Sequence, residues 1–297
     1  RCHDFKADKH HLIFMPVQEN YGNSEEPYSY IMYIDIGPIT RYIVTLNWAF
    51  FGVLLAISSV MCLLGFRFGR DIEKEAERQQ TFFQNASHEL KTPLTSMMVM
   101  TELLKDESDG EKRAEFLSVT ENQLDKMKWL ITNLLKLSKL DAGTAEFNIQ
   151  KISSNDVISQ SLKPFLITLD LKNITLKNTA HDFSFNGDFN WSVEAIENII
   201  KNCMEHTDKN GTISISSSHS NIYDEITISD NGCGIAPEDL PHIFERFYHG
   251  KNSSSESMGI GLALAQAVIK REHGEISVSS TLGEGSVFSI KFYNAIV

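Results

Sequence analysis

The chain has 297 residues, room for two modest domains and additional segments. Its 27 lysines and arginines against 39 acids leave a net charge of −12, which argues against nucleic acid, whose binding proteins carry basic patches to neutralise phosphates. Four cysteines (Cys2, Cys62, Cys203, Cys233) have no CxxC spacing, so neither a disulfide framework nor a zinc site is indicated.

In chain order, residues 28–36 (YSYIMYIDI) are rich in β-formers and read as a strand. His3, His10 and His11 lack the spaced carboxylates that would make them a metal site. Residues 43–66 carry no charge and are long enough, at about 1.5 Å per residue, to cross a hydrocarbon core of roughly 30 Å. Arg67, Arg70, Lys74 and Arg78 follow this span and only Arg41 shortly precedes it, so the C-terminal side is expected in the cytoplasm and residues 1–42 outside. The charged stretch 70–80 (RDIEKEAERQQ) reads as a helix leading directly into the next segment.

Residues 82–94 (FFQNASHELKTPL) are the most informative stretch. Phe83, Ala86, Leu90, Leu94, Met97, Thr101 and Leu104 step by three or four, the pattern of one buried helical seam. His88 lies two residues from Ala86 and from Leu90, about 200° around the helix, and should face solvent. An exposed imidazole is largely neutral at physiological pH and can act as a nucleophile, with Glu89 beside it and the Thr92 hydroxyl one turn on. Residues 106–110 form a turn. A second helix over 111–140 places Leu117, Leu124, Met127, Ile131 and Leu134 at heptad-like spacing. Two such helices make an antiparallel hairpin whose open seam invites a second copy, giving a four-helix bundle.

Beyond a hinge at 141–144 the pattern alternates: strands at 147–152, 174–177, 212–216, 225–229, 275–279 and 286–292, and helices at 191–206 and 261–271. This order predicts an α/β two-layer sandwich. In the first of these helices Ile196, Ile199, Ile200 and Cys203 form the apolar stripe, while Asn198, Asn202 and Glu205 share the opposite face. Amide oxygens arranged so suit a hydrated Mg²⁺ ion. Asp230 opens DNGCG after a strand. Its carboxylate can accept the amino group of adenine, with Gly232 and Gly234 admitting backbone close to the ring, or the motif is an ordinary turn. Gly259 and Gly261 open the last helix, whose N-terminal amides suit phosphate. Between these glycine motifs lie FERFY at 244–248 and the polar run 251–257; Arg246 and Lys251 are candidate phosphate cations or solvated surface bases. Gly283 and Gly285 flank a last glycine motif that is either a further glycine box or a tight turn.

The HELKTP box at 88–93 resembles the phosphoacceptor box of sensor histidine kinases, and the resemblance runs from about residue 72 to the C-terminus. Asn198 and Asn202 resemble the N-box, and DNGCG the first glycine box of the ATP-binding fold shared with gyrase B, Hsp90 and MutL. Residues 244–257 resemble the family's F-box and ATP lid. The implied architecture is α+β: a sensor fragment (1–42), a transmembrane helix (43–66), and a helical linker too short for a HAMP relay (67–80). A dimerisation and phosphotransfer hairpin (81–141) and an ATP-binding domain (145–297) follow. Kinases of this type commonly bracket an external sensor with two spans, so a longer protein beginning upstream is expected. The resemblance implies ATP and Mg²⁺ as cofactors, with Asn202 holding the metal and Asn198 assisting. It makes His88 the phosphorylated residue, Glu89 its acid/base partner and Thr92 the residue that orients water in a phosphatase mode. It implies a homodimer in the bacterial plasma membrane, with cytoplasmic kinase domains that pass phosphate to the receiver domain of a response regulator. The family often has Lys-Tyr shortly after the Mg²⁺ asparagine, where this chain has Glu205 and His206; tuned ATP affinity is expected. A degenerate kinase acting as phosphatase or scaffold, and an ATPase of the gyrase B or MutL kind, are the alternatives. The second leaves the HELKTP box unexplained.

Overall fold

A computed structural model describes residues 3–7, 10–19, 28–250 and 258–293. The chain divides into two compact units, Arg1–Arg78 and Gln79–Val297. In the first, β1 (His3–Ala7), β2 (His10–Glu19) and β3 (Tyr28–Asp35) form an antiparallel sheet in that order, with Phe5 opposite Leu12 and Met15 opposite Met32. Strand β3 coincides with the run of β-formers expected at 28–36. Helix α1 (Gly37–Asp106) begins where the Asp35 carboxylate accepts the Gly37 amide at 2.8 Å, an oxygen cap for an orphan donor. From residue 38 to 70 every described side chain of α1 is exposed, Trp48 and Leu55 included. A helix apolar all round that buries nothing has no partner among the described residues. Among the described residues it is the one helix long and apolar enough to cross a membrane.

In the second unit the last part of α1 turns into α2 (Gly110–Asp141). The turn is closed at both ends. Asp109 caps α2 through the Glu111 amide at 2.9 Å. Arg113 donates to the Leu104 and Glu107 carbonyls at 2.8 and 2.9 Å, satisfying acceptors left over at the end of α1. Helix α2 stops at Gly143, whose φ of 66° admits the left-handed turn that lets Thr144 and Ala145 donate back to the Lys139 carbonyl.

The expected seam of α1 is rotated by about one residue. Phe83 is 67% and Leu94 48% exposed, while Ala86 and Pro93 are buried and Phe82, Leu90 and Met97 are half-buried. The reason is the partner. The Phe82 ring packs 5.7 Å from Phe247, so the in-chain contact lies on the side of Phe82. On α2 the buried positions are Leu130, Asn133 and Leu137, and the helix packs against α6 (Gly261–Arg271). Leu117, Leu124 and Ile131, spaced by seven, remain 51%, 53% and 44% exposed.

The remainder is a two-layer sandwich. Its strands are β4 (Gln150–Ser153), β5 (Thr175–Asn178), β6 (Ser184–Gly187), β7 (Thr212–His219), β8 (Tyr223–Asp230), β9 (Gly274–Thr281) and β10 (Gly285–Tyr293). Its helices are α3 (Ser154–Leu162), α4 (Leu166–Leu171), α5 (Phe189–His206) and α6. The main sheet runs β5-β7-β8-β10-β9, parallel only between β5 and β7; β4 and β6 form a separate antiparallel pair. Alternate residues of β7 and β8 (Ile213, Ile215, Ile226, Ile228) point into the core with Phe288 and Ile290, as a period of two dictates. They meet Ile196, Ile199 and Ile200 of α5 and Leu264 and Val268 of α6, all fully buried. Burying each such side chain stabilises the fold by roughly 1.5–3 kcal/mol.

The sequence pattern did not predict α3, α4 or β6, and it began β4 too early. Residues 147 and 148 are held elsewhere: Phe147 stacks on Trp191 at 5.2 Å and the Asn148 amide donates to Asp188. Helix α3 does carry a local signal, the Ser153 hydroxyl accepting the Asp156 amide at 3.2 Å.

Candidate phosphotransfer and nucleotide sites

His88 stands out from α1 with its side chain 80% exposed, and its Nδ1 is 3.8 Å from Glu89 Oε1. The Thr92 hydroxyl donates to the His88 carbonyl at 3.3 Å, one turn back along the helix. Imidazole and threonine open onto a shallow groove also lined by Lys91, Thr95 and Ser96. A ring so exposed, with a carboxylate at its far nitrogen, can accept a group at Nε2 while Nδ1 keeps its proton directed to Glu89.

The second site lies at one end of α5. Asp188 fixes that helix: its Oδ1 accepts the Asn190 and Trp191 amides and its own amide donates to Glu272 at 2.8 Å. The apolar stripe is buried, so Asn198, Asn202 and Glu205 turn into a cavity whose far wall holds Gly234, Gly259 and Gly261. Asn198 Nδ2 donates to the Glu194 carbonyl at 2.9 Å, which turns its oxygen toward the start of α6. A Cβ on Gly261 would lie 2.6 Å from that oxygen, so no other residue fits there without moving the amide. Gly234, at φ 66°, lies against the Thr281 carbonyl, which an added Cβ would approach to 2.1 Å.

Asp230, at the end of β8, is 8% exposed. Its Oδ1 accepts the Gly232 amide at 2.9 Å, while its buried Oδ2 accepts no hydrogen bond of ordinary geometry. Burial is the main influence on this carboxyl and raises its pKa; the Gly232 amide, the Cys203 thiol and the Ser286 amide oppose the rise. An unsatisfied buried acceptor is costly, and it fits a donor arriving with a ligand, such as the amino group of an adenine ring. Together with the amide face of Asn198 and Asn202, these residues fit an adenine nucleotide and a hard cation.

One sequence candidate falls elsewhere. Arg246 is not a pocket residue: its guanidinium is 2.6 Å from Asp141 at the end of α2 and 5.1 Å from the Phe82 ring centroid. The preceding helices attract it because the loop carrying it packs there through Phe247, which adopts a φ of 60° that bulky residues rarely take. Lys251 lies outside the described residues, as does the rest of the 251–257 run. Sequence reasoning missed Trp129, Lys201 and Tyr248, all of which line the cavity. Tyr248 donates to Asp239 at 2.7 Å, and that bond is the main reason its phenol is pushed up to about 12. No local pattern signals Trp129, since it reaches the cavity only through tertiary packing.

An exposed histidine on a helical hairpin, joined to a glycine-lined sandwich of this topology, defines a phosphoacceptor domain and an ATP-binding domain in one chain. Residues 78–143 match the His Kinase A (phospho-acceptor) domain. Residues 187–295 match the histidine kinase-, DNA gyrase B-, and HSP90-like ATPase family. The chain belongs to the sensor histidine kinases of two-component systems. It is similar to the sensor histidine kinase RppB of Synechocystis, 33% identical over 75% of this chain and 50% of that protein. It is also similar to the heme sensor protein HssS of Staphylococcus saprophyticus, 30% identical over 73% of this chain and 47% of that one. The chain thus spans about half the length of these curated relatives. Among solved structures, Acinetobacter baumannii histidine kinase AdeS superposes with a TM-score of 0.59 at 25% identity, over 69% of this chain and 97% of that one.

Proposed function

We propose that this chain is a membrane-bound sensor histidine kinase that phosphorylates His88 from ATP and passes the phosphoryl group to an aspartate of a response-regulator receiver domain. The observation that carries this reading is a largely exposed imidazole together with a glycine-lined pocket beside which, across from Ser286, the Asp230 carboxylate keeps an oxygen without a hydrogen bond of ordinary geometry. In the proposed reaction Asp230 accepts the adenine amino group and the amides opening α6 face the phosphates. Asn202, assisted by Asn198, would hold Mg²⁺, which supplies charge neutralisation to phosphoryl transfer when bound. His88 Nε2 forms the new N–P bond as the bond from the γ-phosphorus to the β–γ bridging oxygen breaks, and ADP leaves. Glu89 stabilises the Nδ1 proton of the ring as positive charge develops on it. Thr92 orients the water that removes phosphate from the regulator in the reverse mode. The apolar stretch of α1 spans the bilayer, with the hairpin and ATP domain in the cytoplasm, and the exposed heptad stripe of α2 joins two copies. These assignments are supported by the match to the phosphoacceptor domain and by exposure of the stripe.

With γ-labelled ATP, wild type is expected to take up label that is stable to alkali and lost in acid, and His88→Gln none. Label retained by His88→Gln excludes the assignment. Glu205 in the pocket keeps a second reading in view, a chain that binds ATP without phosphorylating itself. Nucleotide binding by wild type without any label on His88 is the result that favours it.

A further inference from the structure

A triphosphate carries several negative charges, and a site for it needs a cation from the protein. Among the described residues that line the cavity, Lys201 is the one lysine or arginine. It stands on α5 one turn before Glu205, between Asn198 and Asn202, on the face that looks into the pocket. Its ammonium is 3.7 Å from Glu205 Oε1 and 4.7 Å from the centroid of the Trp129 ring, which α2 contributes to the same cavity. Both partners hold it weakly. The Lys201 side chain is 41% exposed, and exposed i,i+4 pairs and exposed cation–π contacts are individually feeble beside a charge-assisted bond to phosphate.

We propose that Lys201 is the phosphate-binding cation of this site, parked on Trp129 and Glu205 until nucleotide enters and draws it to the β- and γ-phosphates. This rests on the ATP-binding reading above. The arrangement answers the presence of an acid in the pocket. Glu205 alone would repel phosphate, and a lysine one helical turn away both cancels that charge and reaches the same space. It also makes Trp129 a reporter, because the ring loses its cation when phosphate takes it.

The test uses the full chain in detergent, with Mg·ATP and AMP as probes. Lys201→Gln is expected to weaken Mg·ATP binding about tenfold and to leave AMP binding near wild type, since only the outer phosphates lose a partner. Adding Glu205→Lys to Lys201→Gln is expected to restore most of the loss by returning a cation from the next turn. Nucleotide should change tryptophan emission in wild type, and Trp129→Phe should abolish that change. Unaltered ATP binding in Lys201→Gln, equal weakening of ATP and AMP, or failure of the added lysine to rescue overturns the proposal. Asp230→Asn separates the two readings. It should weaken ATP and AMP alike; if instead it leaves both unchanged while Lys201→Gln still discriminates, the adenine assignment falls and Lys201 stands. A wild-type protein that binds neither nucleotide sinks both.

Discussion

Glu272 and Asp230 are both buried acids, and they are held in opposite ways. Glu272, 6% exposed, accepts the Asp188 amide and the Ser192 hydroxyl, ties the end of α6 to the start of α5, and is satisfied by the fold itself. Burial nevertheless pushes its pKa up to about 7 from an ordinary 4.5. The folded chain therefore keeps a proton that the unfolded chain releases between those values. Stability falls as pH rises from about 4.5 to about 7 and stays lowered above, by an amount on the order of 3 kcal/mol. Glu272→Gln keeps an oxygen for the Asp188 amide and cannot ionise. Denaturant melts should show it close to wild type at pH 4.5 and more stable at pH 8. A difference between the two proteins that does not grow with pH excludes this account. Asp230 keeps an oxygen with no hydrogen bond of ordinary geometry among the described residues, which suits the partner that the proposed nucleotide would bring.

At the scale of the element, the same helix faces two ways. Leu130 and Leu137 of α2 are buried within the chain, whereas Leu117, Leu124 and Ile131 form a separate apolar line one heptad apart. A line of this kind pairs with a copy of itself as a left-handed bundle does. Leu124→Glu places a charge at the centre of that seam, at a cost of about 2 kcal/mol or more per substituted chain. Light scattering of the full chain in detergent should register half the wild-type protein mass; an unchanged mass removes this stripe from the interface. The elements were legible in proportion to how local their signals are. Helix α6 falls on 261–271 as read from the sequence, because a glycine start and a periodic apolar run both lie within it. Helices α3 and α4 are short, and their few apolar positions (Val157, Ile158, Leu162, Leu169) take on meaning only against the sheet. The one-residue rotation of the α1 seam has the same origin, since its partner Phe247 is far along the chain.

At the scale of the whole molecule, the two domains could be read because each motif occupies a single turn or helix face. What joins the hairpin to the sandwich could not. Arg246, a candidate phosphate cation or surface base, is bonded to Asp141, and Trp129, which no motif signalled, is a wall of the cavity. Lys136 and Glu194 form a further ion pair between α2 and α5. Such contacts depend on two surfaces meeting, and neither surface announces the other. Glycine motifs specify backbone shape, but a lone arginine specifies only that some anion will be near.

The Arg246–Asp141 bond has a kinetic consequence. Its two side chains are 32% and 49% exposed, so it is worth about 0–1 kcal/mol and weakens further as salt is added. In the proposed reaction the sandwich moves to deliver a phosphoryl group to His88, and this pair adds only lightly to the contacts of Leu130, Leu137, Phe82 and Lys136 that also hold it. Brine should therefore loosen the clasp, and labelling of His88 should quicken between 0.05 and 0.5 M added chloride (roughly a threefold fall in screening length) before weaker nucleotide binding reverses the gain.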